Sequence, residues 1–354
     1  VMMSLQKITG ALAIAALTSV MPAYAFLTDS SNQRTVMIGR GGAETMQPVV
    51  VQEIRTVTPI HQSSSYPSSY PDAQVTTTLQ AVQPPPSSTY YPNYTLSYNP
   101  LSDISTKSAS AAVFDLQTGE LLYQKNIDSV RSIASVSKMM TAMVVLDSAE
   151  DMQSELIISG GDLVGAKSAS TRLQAGDRLS RSEMMLLMLM KSENPAAKAL
   201  ATNYFGGYSG FIAAMNQKAQ SLGMRNTSFA DASGLDPRNR SSASDLLIMM
   251  KEIATNPRYQ TIRNFSSTPN YDFYISNYNK GSRTYSASST NRFVRSGAYN
   301  ILASKTGYIR EAGYCVVMQT AVNNRPAIIV LLGAGNSEHR WKDAENILTQ
   351  MAYR

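Results

Sequence analysis

Residues 298–332 read AYNILASKTGYIREAGYCVVMQTAVNNRPAIIVLL. Three apolar runs lie in this stretch, Ala298–Thr306, Gly313–Val322 and Pro326–Leu332, and each has the length and β-branched content of a strand. Asn323-Asn324 stands between the last two, where a two-residue hairpin turn needs left-handed backbone. Beyond them Trp341, Ala344, Leu348 and Met351 recur at helical spacing, which predicts a closing helix with one apolar face. Far upstream, Ala111–Leu116 and Glu120–Gln124 flank Gln117-Thr118-Gly119, a second hairpin signal. Between the two strand groups the pattern is helical. Segments are expected at Ser135–Ser148, at Met184–Met190 behind the capping box Ser180-x-x-Glu183, and at Pro195–Tyr204, Tyr208–Leu222 and Ser242–Thr255. Two strands, a helical block, three strands and a helix predict an α/β (α+β) chain. Its central antiparallel sheet has about five strands, flanked by helices and interrupted by an all-helical insertion.

The rest of the chain has a different character. Of 354 residues only 16% are charged, against 43% apolar. Residues 1–100 hold four basic and four acidic side chains, so the whole net charge of +6 belongs to the remainder. Lys7, the uncharged run Ile8–Met21 and the small-x-small sequence Ala23-Tyr24-Ala25 predict a secretory signal peptide over 1–25, cleaved after Ala25. The apolar run is too short to span a bilayer, so no stable membrane span is expected after cleavage. Residues 26–105 carry nine of the fifteen prolines and are dense in Ser, Thr, Tyr and Gln. Such a composition buries too little apolar surface to offset ordering entropy, and predicts a largely disordered tether. Its tyrosines leave a docking role open, and Val49-Val50-Val51 has the character of a short strand. Residues 106–354 are expected to form one domain.

Composition also excludes chemistries. One cysteine, Cys315, precludes an intrachain disulfide and reads as a small buried apolar residue. Two distant histidines, His61 and His339, disfavour a zinc site and a Ser-His-Asp triad. Lys and Arg do not cluster as nucleic acid would require. No metal and no cofactor is expected, and Met184, Met185, Met188 and Met190 read as core.

Three short motifs remain. In Ser135-Val136-Ser137-Lys138, residues three apart share one helical face, so Lys138 can reach the Ser135 hydroxyl and act as its base if burial lowers its pKa. Alone this is weak, since Ser4 and Lys7 have the same spacing inside the signal peptide. In Ser192-Glu193-Asn194, Ser192 can relay a proton and Asn194 can donate to a carbonyl. The plain alternative is a polar loop capping the next helix through Asn194 or Ser192. In Lys305-Thr306-Gly307 a lysine and a hydroxyl can hold a carboxylate while glycine admits a substrate backbone. A strand end is the ordinary reading.

Taken together, in this order and on these elements, the three motifs form the signature set of the penicillin-recognising serine enzymes. Ala134–Thr141, Gly176–Asn194, Phe211–Gly234 and Lys305–Gly313 resemble the low-molecular-mass penicillin-binding proteins that act as D-alanyl-D-alanine peptidases. Leu179–Ser192, Gly206–Met215 and Ala321–Pro326 resemble most the endopeptidase branch, the penicillin-binding proteins seven and eight. The resemblance spans about residues 108–354 and implies the transpeptidase-like fold of the serine β-lactamases. It implies that Ser135 attacks a D-alanyl carbonyl, Lys138 is the base, and Ser192 passes the proton to the leaving amine. Asn194, Lys305, Thr306 and Gly307 then hold the substrate, and the backbone N–H groups of Ser135 and Tyr308 form the oxyanion hole. Tyr308 departs from the His that many carboxypeptidase relatives carry there.

The implied activity is cleavage of peptidoglycan stem peptides through an acyl-enzyme, with the D-alanyl–diaminopimelate cross-link as the expected bond. The alternative is D-alanyl-D-alanine carboxypeptidation. β-Lactam antibiotics are the implied covalent inhibitors. A serine β-lactamase is disfavoured because no Glu occurs from Pro195 to Lys251, where a deacylation base would lie. A non-catalytic wall-binding module is disfavoured because every mechanistic role is filled. The sequence shows no β-rich domain or amphipathic anchor after the last helix. The cleaved signal peptide makes the periplasm the expected location, free or loosely membrane-associated, and docking of other cell-wall enzymes on the tether stays open.

Overall fold

The computed structural model describes Leu101 and Ile104 to Tyr353, together with the backbone of two short strands nearer the start. Those two strands, Arg34–Thr35 and Val50–Val51, pair antiparallel and form a unit of their own; the second falls on the expected Val49–Val51. The signal peptide and the rest of the tether lie outside the described residues.

In the larger unit, the central sheet consists of β1 (Ser110–Asp115), β2 (Leu121–Lys125), β3 (Ile301–Ile309), β4 (Gly313–Val322) and β5 (Arg325–Ala334), in the order β3-β4-β5-β1-β2. Every pairing is antiparallel. Asn323 and Asn324 both have positive φ, 50° and 61°, as the two-residue turn between β4 and β5 requires. The long-range junction is β5 against β1, with Ile329 opposite Val113. The expected five strands and their split in sequence are thus observed.

Alternation along these strands sends side chains to two cores. Ile328, Val330 and Leu332 join the core under the helical block, whereas Ala327, Ile329 and Leu331 face the closing helix α8 (Ser337–Ala352). Both faces are covered, which is why these strands read as continuous apolar runs rather than alternating ones. Trp341, Ala344, Leu348 and Met351 of α8 are buried as the helical spacing predicts. Leu101 and Ile104, on the tether side of the expected boundary, are buried in the same cluster.

The insertion carries α1 (Lys138–Asp147), α2 (Arg181–Met190), α3 (Asn194–Thr202), α4 (Gly207–Ser221), α5 (Ala243–Thr255), α6 (Gln260–Ser266) and α7 (Arg292–Ser296). Helix α2 runs through the middle, with Met184–Met190 all buried, including the four methionines read as core. Its capping box forms as expected: the Ser180 hydroxyl accepts from Glu183 N–H at 3.2 Å and the Glu183 carboxylate accepts from Ser180 N–H at 2.9 Å. The insertion is not purely helical. It also holds three small antiparallel pairs, the longest Asn270–Ile275 with Arg283–Ser288. In that pair only Phe273, Ile275, Tyr285 and Ala287 turn inward, so the apolar signal is thin amid Ser, Tyr and Asn. Among the described residues no helix is long and apolar enough to cross a membrane.

One buried carboxylate ties the start of the domain to α8. Asp343 accepts from Lys107 N–H at 2.9 Å, Ser108 N–H at 2.7 Å and the Ser108 hydroxyl at 2.7 Å. Asp343→Ala leaves these donors unmet, each costing about 1–3 kcal/mol when buried. The expected result is a loss of roughly 2–4 kcal/mol in chemical denaturation.

Candidate active site

The segment 134–138 turns from a strand into α1 through a 3-10 helix, Ala134–Ser137, rather than as an α-helical start. A 3-10 turn eclipses residues three apart, so the Ser135 and Lys138 side chains lie one above the other. Ala134 enters the turn with φ 49°, and the Ser137 hydroxyl donates to its carbonyl at 2.8 Å. Met139, Met140 and Met143 follow, all fully buried.

Lys138 has no exposed surface. Its Nζ lies 2.9 Å from Ser135 Oγ, 2.7 Å from Asn194 Oδ1 and 2.5 Å from the Ser233 carbonyl. Burial drives its pKa from 10.5 down to about 7, while Asp231 and Glu193 pull the other way. An amine with that pKa is half unprotonated near neutrality and can accept the Ser135 proton.

Helix α2 ends at Lys191, and Ser192 leaves it with φ 68°. A left-handed residue is a common helix stop, and glycine takes that place most easily. Here it turns a hydroxyl into the site, where Lys305 Nζ donates to Ser192 Oγ at 2.8 Å and to the Thr306 carbonyl at 2.9 Å. The plain alternative for this loop, capping by Ser192 or Asn194, does not hold. The N-cap of α3 is Glu193, with no side-chain cap, because Asn194 is already helical and spends its Oδ1 on Lys138.

Lys305, Thr306 and Gly307 lie within β3, opposite Val317, Val316 and Cys315. Lys305 is buried, and its pKa falls well below 10.5 through burial, then Lys138, then Arg340. The Thr306 hydroxyl donates to Thr290 Oγ1 at 2.7 Å, and Thr290 N–H donates to Met190 O at 3.0 Å, pinning β3 to the end of α2. Tyr308 is half exposed and stacks on Tyr314 with centroids 4.2 Å apart. Cys315 is fully buried and desolvation raises its thiol to about 11, consistent with an inert packing role.

Two glycines bring backbone against the turn that carries Ser135. A Cβ on Gly234, at φ 83°, would lie 2.0 Å from the Ala134 carbonyl oxygen; one on Gly307 would lie 2.8 Å from the Ile133 oxygen and 3.2 Å from Ser135 N. Close approach, rather than flexibility, is what glycine supplies at both.

The structure therefore gathers Ser135, Lys138, Ser192, Asn194, Lys305, Thr306 and Gly307 in one place, with Tyr308 at its rim. Several contributors were not picked out in sequence. The Ser233 carbonyl is fixed by Asp231, which accepts from Ser233 Oγ at 2.6 Å and Gly234 N–H at 2.8 Å. Asn239 in turn accepts from Asp231 N–H at 3.0 Å. Arg340, 7% exposed, donates to the Cys315 carbonyl at 3.1 Å and adds positive potential near Lys305. A carbonyl acceptor leaves no residue-type signal; a buried arginine on the otherwise amphipathic α8 does.

Two outcomes test this geometry. Ser192→Gly removes the hydroxyl and the left-handed strain together. The melting temperature is expected to hold or rise by a few degrees, while acylation falls at least a hundredfold. Gly234→Ala drives a methyl into the Ala134–Ser135 peptide and is expected to abolish acylation even in the folded fraction, read by intact-protein mass.

Comparison with known proteins places this geometry in company. A sequence model of the D-alanyl-D-alanine carboxypeptidase family matches residues 97–336. A D-alanyl-D-alanine endopeptidase of Pseudomonas aeruginosa is 39% identical over 242 residues, 68% of this chain and 76% of the relative. One of Escherichia coli is 38% identical with the same coverage. A D-alanyl-D-alanine carboxypeptidase of Bacillus subtilis is 30% identical over 243 residues, 68% of this chain and 60% of that protein. Among solved structures, the Streptomyces K15 DD-transpeptidase superposes with TM-score 0.65 at 26% identity, covering 70% of this chain and 97% of that one. Penicillin-binding protein D2 of Listeria monocytogenes, in its ampicillin-bound form, gives TM-score 0.59 at 29% identity, covering 71% and 99%.

Proposed function

The chain belongs to the D-alanyl-D-alanine carboxypeptidase family of serine peptidases, and from that premise we propose that it is an exported endopeptidase that opens D-alanyl–diaminopimelate cross-links in peptidoglycan. The observation that carries the reading is the buried Lys138 amine held 2.9 Å from Ser135 Oγ. Similarity to two endopeptidases at 39% and 38% identity supports the choice of bond.

The mechanism follows from the contacts. Unprotonated Lys138 takes the Ser135 proton as Oγ bonds to the D-alanyl carbonyl carbon. The carbonyl π electrons move onto oxygen, and the resulting oxyanion accepts hydrogen bonds from the N–H groups of Ser135 and Tyr308. The tetrahedral species collapses, the C–N bond breaks, and the proton that Lys138 took passes through Ser192, which Lys305 holds in place, to the leaving nitrogen, so that Lys138 is again unprotonated. Asn194 orients Lys138, while Thr306 and Gly307 align the substrate along β3. Water then attacks the ester, Lys138 again accepting the proton, and Ser135 is released.

In a penicillin complex the ester persists, because the amine of the opened ring stays attached to the acyl group and keeps the leaving side closed to water. The segment Pro195–Lys251 contains no Glu, and its Asp231 already accepts from Ser233 and Gly234. The export signal and tether support a periplasmic location in which the domain reaches the wall from a spacer of about eighty residues.

Purified cross-linked muropeptide dimers and pentapeptide monomers, incubated separately and read by mass spectrometry, decide the bond. Loss of dimer with the pentapeptide untouched is expected. Release of terminal D-alanine alone identifies a carboxypeptidase instead. Fluorescent penicillin is expected to label the protein stably and Ser135→Ala not at all; rapid hydrolysis without retained label contradicts the reading. The acylation rate is expected to rise with pH through about 7, because the protonated Lys138 below that value cannot accept a proton.

A further inference from the structure

Glu193 sits between two site residues yet belongs to no step above. It is 6% exposed, although it carries a carboxylate. Its Oε2 accepts from the Thr171 hydroxyl at 2.6 Å and its Oε1 from the Tyr285 hydroxyl at 2.5 Å. The two donors come from separate elements, the loop before the strand Arg178–Ser180 and the inward face of the strand Arg283–Ser288. Tyr285 is itself 1% exposed, and Arg172 covers its ring at 4.5 Å. Hydroxyl donors stabilise a carboxylate without cancelling its charge, unlike an ion pair. A buried anion in this setting acts on the nearest buried cation through weakly screened space.

The two buried lysines of the site differ in what surrounds them. Both are fully buried, and desolvation lowers both. Lys138 faces two carboxylates, Asp231 from its loop and Glu193 from the α2–α3 junction, and both act against burial. Lys305 has Lys138 and Arg340 as its charged neighbours, and both act in the same direction as burial. Asp231 is committed to holding the Ser233–Gly234 backbone. Glu193 has no such backbone duty, and its neighbours Ser192 and Asn194 hold Lys305 and Lys138 directly.

We propose that Glu193 is a positioning residue whose buried carboxylate, locked by Thr171 and Tyr285, anchors Ser192 and Asn194 on either side and sets a fixed negative charge next in chain to the Asn194 amide that holds Lys138. This rests on Lys138 being the base for Ser135. A base driven too low by burial alone takes the serine proton poorly; one left too high is occupied by its own proton. Glu193 opposes burial and sets the value between those limits.

The test is the pH dependence of acylation by benzylpenicillin, followed by intact-protein mass, in wild type, Glu193→Gln and Glu193→Asp. Removing the charge lowers the proton affinity of Lys138, so the acid limb of Glu193→Gln moves to lower pH by half a unit or more. At pH 6 its rate relative to its own plateau is then about threefold higher than in wild type. Glu193→Asp keeps the charge but shortens the reach to Thr171 and Tyr285, so its plateau falls while its limb stays at the wild-type pH. A packing role alone also lowers the Asp plateau but leaves the near-isosteric Gln harmless, with no limb moved in either. Glu193→Ala is the second neutral variant, and a limb at the wild-type position in whichever neutral variant folds overturns the proposal. Wild type that forms no acyl-enzyme at any pH contradicts the parent reading of Ser135 and Lys138, a distinct result.

Discussion

A lysine amine sealed from water has to find every partner inside the protein, and at Lys138 those partners come from three separate stretches of chain. Ser135 lies three residues back, Asn194 opens α3, and Ser233 belongs to a loop almost a hundred residues downstream. Removing an ammonium from water without compensation costs more than most domains have to spare, so such a group either loses its proton or is paired. This site does some of both. Desolvation brings the pKa down to about 7, and the three acceptors fix where the nitrogen sits.

The surrounding fold reads as support for that one buried group. The sheet provides a rigid edge in β3, and Gly307 lets it lie against the 134–138 turn. The helical block provides the other wall: α2 carries Ser192 out on a left-handed residue, and Thr290 ties the end of α2 to Thr306. Gly234 closes the third side so tightly that a single methyl has no room. Positive φ at Ala134 and Ser192 shows local backbone strain held beside the Ser135 hydroxyl and at the residue bearing the Ser192 hydroxyl.

Much of this was legible in sequence because its signals are local. Strand runs, the Asn323-Asn324 turn and the Ser180–Glu183 box each need only a few neighbouring residues. The Ser-x-x-Lys, Ser-x-Asn and Lys-Thr-Gly trio gained meaning only as a set, since each has an ordinary reading. What escaped was what depends on distant partners or on backbone. The Ser233 carbonyl has no side-chain signature. Glu193 reads in sequence either as a solvent-facing carboxylate or as one that tunes Lys138, and only Thr171 and Tyr285, 22 residues before and 92 after it, show that it is enclosed. The pair Asn270–Ile275 with Arg283–Ser288 was missed because only four of its twelve residues turn inward. The 3-10 start of α1 differs from an α-helix by one hydrogen-bond step, which periodicity does not resolve.

The central claim is that Lys138 titrates near neutrality, its proton affinity lowered by burial and partly restored by Asp231 and Glu193. Its most direct test is an NMR titration of lysine side chains labelled at the ε-carbon, with the Lys138 resonance assigned from a Lys138→Arg variant. The account predicts a Lys138 midpoint close to 7 in the free enzyme. A midpoint near the ordinary lysine value of about 10.4 would contradict it.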